Sequence, residues 1–234
     1  METLNNLKEL RKRTIWRTTA IWATVALGIA VSVLDVMAQS RGSESASPAD
    51  ALRDPVLPGD WRQGASEAKV VLVEYGDYQC GPCAHYNLLM EKAMVEYGSR
   101  VALVFRHFPL RRTHPHAELA ARAAEAAGRQ GRYWQMHAVL YHRQREWAEV
   151  QNPRAVFMGY VQLLGMDAAR FVSDLDDQEI AGKVESDYQS GIRAKVDGTP
   201  TLFVQGRRAP LAGSYAQLRL MLEEALGRAD DVGS

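Results

Sequence analysis

The stretch KVVLVEYGDYQCGPC, residues 69–83, decides the fold. Lys69 to Tyr75 is a short, nearly continuous apolar run with β-branched side chains, the pattern of a strand buried on both faces. Gly76, Asp77, Tyr78 and Gln79 turn the chain, and from Pro82 a helical pattern runs to Tyr97 and stops at Gly98. A proline suits a first helical turn, because its missing N–H would be unpaired there. Cys80 and Cys83 therefore stand at a strand-to-helix junction, where unpaired N–H groups and the helix dipole offer partial positive charge. That charge stabilises a thiolate on Cys80, nearest the helix entrance. Cys83, one turn deeper, is placed to attack a mixed disulfide formed on Cys80.

Outward from this junction, Arg100 to Phe108 reads as a second strand, closed by Pro109. A helical block follows from about Thr113 to Val196. It includes an alanine-rich surface (Ala117, Ala120, Ala123, Ala124, Ala127) and a stripe of Ile180, Val184, Tyr188, Ile192 and Val196. Gly198, Thr199 and Pro200 break the pattern, and Thr201 to Gln205 is a third strand turning at Gly206. Ser214 and Gln217 resemble a capping box before a last helix over Leu218 to Leu226. Strand, helix, strand, helical block, strand, helix predicts an α/β sandwich with an inserted helical subdomain. No internal repeat is visible.

The 234 residues carry 28 Lys+Arg and 28 Asp+Glu, a formal charge of zero. Nucleic-acid binding rests on concentrated positive charge, so this balance argues against that class of partner. Hydrophobic residues at 47% and charged residues at 24% fit an ordinary globular chain and exclude wholesale disorder. With only two cysteines, a disulfide-dense scaffold is excluded too.

The neutral total hides an uneven distribution. Lys8, Arg11, Lys12, Arg13 and Arg17 precede an uncharged run from Thr18 to Leu34, with Trp16 and Trp22 near its start. Basic flank, apolar run and interfacial tryptophan predict a membrane-targeting segment over residues 1–38, with its N-terminus cytoplasmic. The run is short for a spanning helix and long for a signal-peptide core, and Val36, Met37 and Ala38 offer a cleavage site. A retained single-pass anchor and a cleaved signal both remain open, and each carries the remaining chain across a membrane. Residues 39–60, rich in Ser, Ala, Asp and Pro, read as a linker. Residues 61–228 make one domain, with the helical insertion at about 113–196, and residues 229–234 form a tail.

The dithiol pair admits other chemistry. Zinc would need two more ligands, for which His85, His114 and His116 are the candidates, and an inert disulfide across four residues would restrict the unfolded chain little. Both thiolates could also hold a soft metal such as Cu(I) in a binding module. Glu74, six residues before Cys80, interrupts an apolar strand. Buried, its raised pKa would let it exchange protons with Cys83; at the strand's end, it would simply face solvent. Pro200 by itself is a strand-opening proline. His107, His137 and His142 read as packed or solvated side chains, and Trp134, Met136 and Leu140 as core.

Taken together, VVLVEYGDYQCGPC, RHFPL, HPHAELAARAAEAAG, the WQMH segment and VDGTPTLFVQGRR resemble the DsbA-like branch of the thioredoxin superfamily over about residues 53–225. These are extracytoplasmic thiol-disulfide oxidoreductases with a helical insertion in a thioredoxin fold. The resemblance implies Cys80 as attacking and Cys83 as resolving cysteine, Glu74 as the buried acid, and Pro200 as the cis-proline facing the disulfide. It further implies that the Thr199 backbone pairs with an extended substrate peptide. No cofactor is implied beyond the redox pair; the partners are cysteine-containing client proteins and a membrane redox protein that recycles the enzyme. Gly81 and Pro82 depart from the branch, since many of its oxidants carry a histidine between the cysteines and this dipeptide is that of the reducing thioredoxins. A less oxidising couple is expected, and reductase or isomerase action stays open.

Overall fold

The computed structural model describes residues 51–232. The basic and apolar stretch of residues 1–38 and the first part of the linker lie outside them. Among the described residues no helix is long and apolar enough to cross a membrane.

Strands β1 (Trp61–Gly64) and β2 (Val70–Gly76) lead into helix α1 (Gly81–Tyr97), and β3 (Val101–His107) follows. The insertion then supplies α2 (Ala117–Gly128), α3 (Tyr133–His142), α4 (Gln144–Trp147), α5 (Pro153–Leu163), α6 (Ala168–Leu175) and α7 (Gln178–Arg193). Strands β4 (Thr201–Val204) and β5 (Arg207–Ala209) and helix α8 (Tyr215–Val232) complete the order. The five strands lie in the order β1-β3-β2-β4-β5, with β2 and β3 parallel and every other pair antiparallel. This is the expected α/β architecture with a helical insertion.

Central placement explains the composition of β2, since residues alternate between two covered faces. Val70 and Leu72 pack with Tyr86 and Met90 of α1 and Leu222 of α8. Val73 and Tyr75 point the other way, into a cluster with Phe108, Ala194, Val196 and Phe203. Glu74 and Gly76 fall on the α1 face, in line with Leu72. Tyr75 is locked from the far side by a hydrogen bond with the Ser190 hydroxyl, 2.9 Å away.

Four features depart from the sequence reading. The edge strands β1 and β5 have four and three residues, WRQG and RRA, too few to show an alternation. Trp61 holds β1 in place by stacking on Tyr133 at 4.3 Å and donating its indole N–H to Glu125 at 2.8 Å. The stripe on α7 drifts: Ile180 and Val184 are buried, but Ile192 is 47% exposed. A strict four-residue repeat advances faster than 3.6 residues per turn, so Asp187, Ser190 and Gly191 take the buried positions instead. Ser214 caps α8 through the Gln217 N–H, but the Gln217 side chain reaches back to Gly213 rather than to Ser214.

The end of the predicted linker is also packed. Ala51 bridges to Arg207, and the Leu52 N–H donates to the Gly206 carbonyl at 2.8 Å. Arg106, 2% exposed, donates to the carbonyls of Asp54 and Pro55 and forms a 2.8 Å ion pair with Asp60. Residues 51–60 are thus part of the domain. A buried guanidinium needs several acceptors, and this segment supplies three of them.

Candidate active site

Cys80 is the N-cap of α1, with φ −75° and ψ 119°, and Pro82 occupies the first turn. The loop before it is tied down from several directions. Its own turn closes through the Cys80 N–H on the Asp77 carbonyl at 3.1 Å. The Asp77 carboxylate accepts from the backbone of Gln79 and Leu110 and lies 2.7 Å from His114 Nδ1. Gln79 donates to the Ala148 carbonyl and accepts from the His116 N–H. Gln144 spans the loop from α4, donating to the carbonyls of Tyr78 at 2.8 Å and Cys80 at 3.0 Å. The insertion therefore fixes the backbone that presents the sulfurs.

Both cysteines are free thiols in this structure. Cys80 is 4% exposed and Cys83 fully buried. The Cys80 thiol donates to the Thr199 carbonyl at 3.3 Å, which brings the β4 entrance against the helix N-terminus. The Thr199–Pro200 peptide is cis. Hydrogen bonding from the Cys83 side chain lowers the Cys80 pKa from 9.0 to about 6, with Thr199 and the Cys83 N–H adding to it and burial opposing. The Thr199 hydroxyl is buried and has no partner while Cys80 is a thiol, so it is free to donate once the thiolate forms. Burial pushes the Cys83 thiol well above its ordinary range, and the neighbouring Cys80 adds to the shift. The two sulfurs are thus unlike: one ionises near neutrality, the other holds its proton.

Glu74 is 2% exposed, so the solvent-facing alternative is excluded. Desolvation raises its pKa from 4.5 to about 8, and the charge of Cys80 contributes. At neutral pH the carboxyl is largely protonated and can give its proton to a nearby thiolate. The five candidates thus divide between two places. Cys80, Cys83, Thr199 and Pro200 meet at the helix entrance, and Glu74 lies beneath it on the central strand.

A sequence-family model described as thioredoxin matches residues 57–224. The chain belongs to the thioredoxin family. Its fold is that of DsbA proteins: a Wolbachia pipientis alpha-DsbA1 variant superposes with a TM-score of 0.70 at 18% identity, covering 78% of this chain and 98% of that one. Oxidised BdbD from Bacillus subtilis gives 0.66 at 21% identity, covering 76% of this chain and 98% of the other. Sequence relatives include the Na(+)/H(+) antiporter NhaA of Herminiimonas arsenicoxydans, 37% identical over 184 residues. The match covers 78% of this chain and 28% of that protein. Antiporter NhaA 1 of Salinispora arenicola is 36% identical over 82% of this chain and 26% of its own length. The present chain spans under a third of the curated relatives it matches.

Within this thioredoxin-family domain, the histidines weighed as zinc partners lie elsewhere. His85 is exposed, His114 faces Asp77, and His116 serves the loop through its backbone. His137 is buried between Tyr78, at 3.0 Å, and Asn87, at 2.9 Å. Burial lowers its pKa to about 3, so it is a neutral packing element. Sequence reasoning gave Asp77 and Gln79 only as turn residues and passed over Gln144; all three hold the loop. Asp77 and Gln79 lie inside the decisive segment and could have been suspected from it. Gln144 is 64 residues from Cys80 and leaves no local signal.

Proposed function

We propose that the chain is an extracytoplasmic protein thiol-disulfide oxidoreductase, forming or exchanging disulfides in cysteine-containing client proteins through Cys80 and Cys83. The observation that carries this reading is the unlike pair: a Cys80 thiol lowered to about 6 against the Thr199 carbonyl, with a buried, protonated Cys83 behind it.

In the oxidising direction a client thiolate attacks Cys80 Sγ of the enzyme disulfide. The S–S bond breaks, its electron pair leaves on Cys83 Sγ, and Glu74 supplies the proton that neutralises that buried sulfur. A second client thiolate then attacks its own sulfur in the mixed disulfide and expels Cys80 as a thiolate. Two electrons have passed from client to enzyme, which is left with a Cys80 thiolate, a Cys83 thiol and a Glu74 carboxylate that regains its proton from solvent. In the reducing direction the Cys80 thiolate attacks a client disulfide, and Cys83, deprotonated by Glu74, releases the second client thiol. A low Cys80 pKa makes it a good leaving group. At the β4 entrance, a cavity of about 310 Å³ lined by Gly198, Thr199, Pro200, Leu202, Ala209 and Leu211 offers room for the client peptide. The backbone of Thr199 would pair with it as an added strand.

A Cys80 value of about 6 lies between about 7 for thioredoxin and about 3.5 for the strongest oxidant. A stabilised Cys80 thiolate favours the reduced form of the pair and so shifts the couple in the oxidising direction. The basic and apolar N-terminal pattern supports delivery of the domain across a membrane, by a retained anchor or a cleaved signal. The antiporter relatives, of whose length the matching stretch is about a quarter, support a domain that works beside a membrane. A membrane redox protein would then reset the pair.

Replacing Cys83 by Ala should trap clients as mixed disulfides on Cys80, visible as reducible adducts. Finding no adduct under either oxidising or reducing conditions would sink the exchange reading. A Cu(I)-binding module would instead take up one equivalent of Cu(I) and lose it on oxidation. Titration against glutathione reads the direction: a potential above about −180 mV marks an oxidant, and one near −270 mV a reductant.

A further inference from the structure

Exchange by this pair moves a negative charge inside the protein. When Cys83 leaves or attacks, charge passes between its sulfur and the Glu74 carboxyl, both buried. A buried anion needs hydrogen-bond donors, or its formation is costly. The helical insertion brings such a donor to this place.

Tyr141, on α3, is 3% exposed, and its hydroxyl is buried with no hydrogen-bond partner. Orphaned buried hydroxyls are uncommon, since the loss of hydration goes uncompensated. The ring belongs to the apolar cluster that also contains Cys80 and Cys83. It is held there by the ring of Tyr78 at 4.8 Å and that of His137 at 5.1 Å. The hydroxyl lies 3.0 Å from where a side chain on Gly76 would begin. Gly76 follows Glu74 by two residues on β2, so both present the same face of the sheet. The absence of a side chain at Gly76 is what admits the hydroxyl and the Phe105 ring to that face.

The electrostatics agree with this placement. Burial holds the Tyr141 hydroxyl well above its ordinary range, and the charges of Cys83, Glu74, Tyr78 and Asp77 raise it further. The charges that act on it thus come from Cys83 on α1, Glu74 on β2, and Tyr78 and Asp77 in the loop, while neutral His137 packs on its ring from the same helix. Burial also raises the Tyr86 hydroxyl on α1, and the charge of Glu74 adds to it. A phenol held neutral in this way is a permanent donor through the working pH range.

We propose that the Tyr141 hydroxyl is a positioning donor for the buried negative charge that passes between Glu74 and Cys83 during thiol-disulfide exchange. It does not itself gain or lose a proton. It donates to whichever of the two is charged and so lowers the cost of the resolving step in both directions. This inference rests on the exchange reading above.

The test uses the full chain with glutathione joined to Cys80 as a mixed disulfide, following glutathione release by Cys83 across pH. In Tyr141→Phe the ring stays and the donor goes. Release at pH 7 should slow about tenfold, the loss of one hydrogen bond to a charged group, with the midpoint of the pH profile moved upward. The Cys80 thiolate titration and the melting temperature should stay in place. Adding Glu74→Gln should slow release by less than the product of the two single effects. Placing 3-fluorotyrosine at position 141, a stronger donor, should move the midpoint downward. A Tyr141→Phe profile that overlays wild type, or one that falls equally at every pH with a lower melting temperature, overturns the proposal. Wild type that releases no glutathione at any pH overturns the exchange reading, and this proposal with it.

Discussion

Glu74 and Cys80 act on stability with opposite signs. The folded pKa of Glu74 is raised from 4.5 to about 8, so its contribution is fully present below pH 4.5 and is lost as pH rises through about 8. The folded pKa of Cys80 is lowered from 9.0 to about 6, so its contribution to the reduced domain is present above pH 9 and lost as pH falls through about 6. Wild type therefore hides each effect behind the other near neutrality, and comparison with Glu74→Gln separates them. Urea unfolding of the two reduced proteins should show Glu74→Gln gaining on wild type steadily from pH 4.5 to about 8 and no further above it. A constant difference across that range would mean the carboxyl ionises as it does in water. Thiolate absorbance of reduced wild type should titrate with a midpoint near 6, from Cys80 alone. At this scale the sequence was highly legible. The dithiol spacing, its place at a helix start and the charge inside an apolar strand are local features, and each led to a residue with a perturbed proton affinity.

Elements differ in how much of themselves they write into the chain. β2 and α1 were readable because a buried strand and a helix of 17 residues each need a sustained pattern. β1 and β5 were not, since an edge strand of three or four residues borrows its geometry from its neighbour. The active-site loop borrows likewise: α4 contributes four residues, and Gln144 on it spans the carbonyls of Tyr78 and Cys80. Gln144→Ala takes the side-chain donor from the Tyr78 carbonyl, while the Cys80 carbonyl keeps the Ala84 N–H, and should destabilise the domain by about 1–3 kcal/mol in urea unfolding. Amide hydrogen exchange should rise at residues 77–80 before it rises in β2. Equal rises in both would show that the glutamine supports the fold at large rather than the loop.

Across the whole molecule, Arg106 does what no pattern announced. It sits in β3, 2% exposed, and gathers the carbonyls of Asp54 and Pro55, the Asp60 carboxylate and the Tyr75 hydroxyl. It thereby attaches the segment entering from the N-terminal side to the back of the sheet, while α1 and the cysteines occupy the front. Arg106→Ala leaves the Asp60 carboxylate with only the Leu57 N–H and Lys183, 3.8 Å away, and should cost about 3 kcal/mol. Limited proteolysis should then cut within residues 51–60 before the core unfolds. Resistance of that segment in the variant would show that the Ala51 bridge and Leu52 hydrogen bond suffice to hold it.

The sequence by itself determined the class of fold, the dithiol at a helix entrance and a charge inside an apolar strand, and left open whether that charge was buried. Periodicity, helix entrances and a charge out of place are properties of neighbouring residues, and neighbours along the chain suffice to express them. Tertiary structure alone decided which groups make the pair unequal and which backbone presents it. Thr199 stands 119 residues from Cys80, and the Tyr141 hydroxyl reaches the face of Glu74 only because Gly76 has no side chain. Hydrogen bonds and desolvation act through distances of a few ångströms in space, and separation along the chain carries no trace of them.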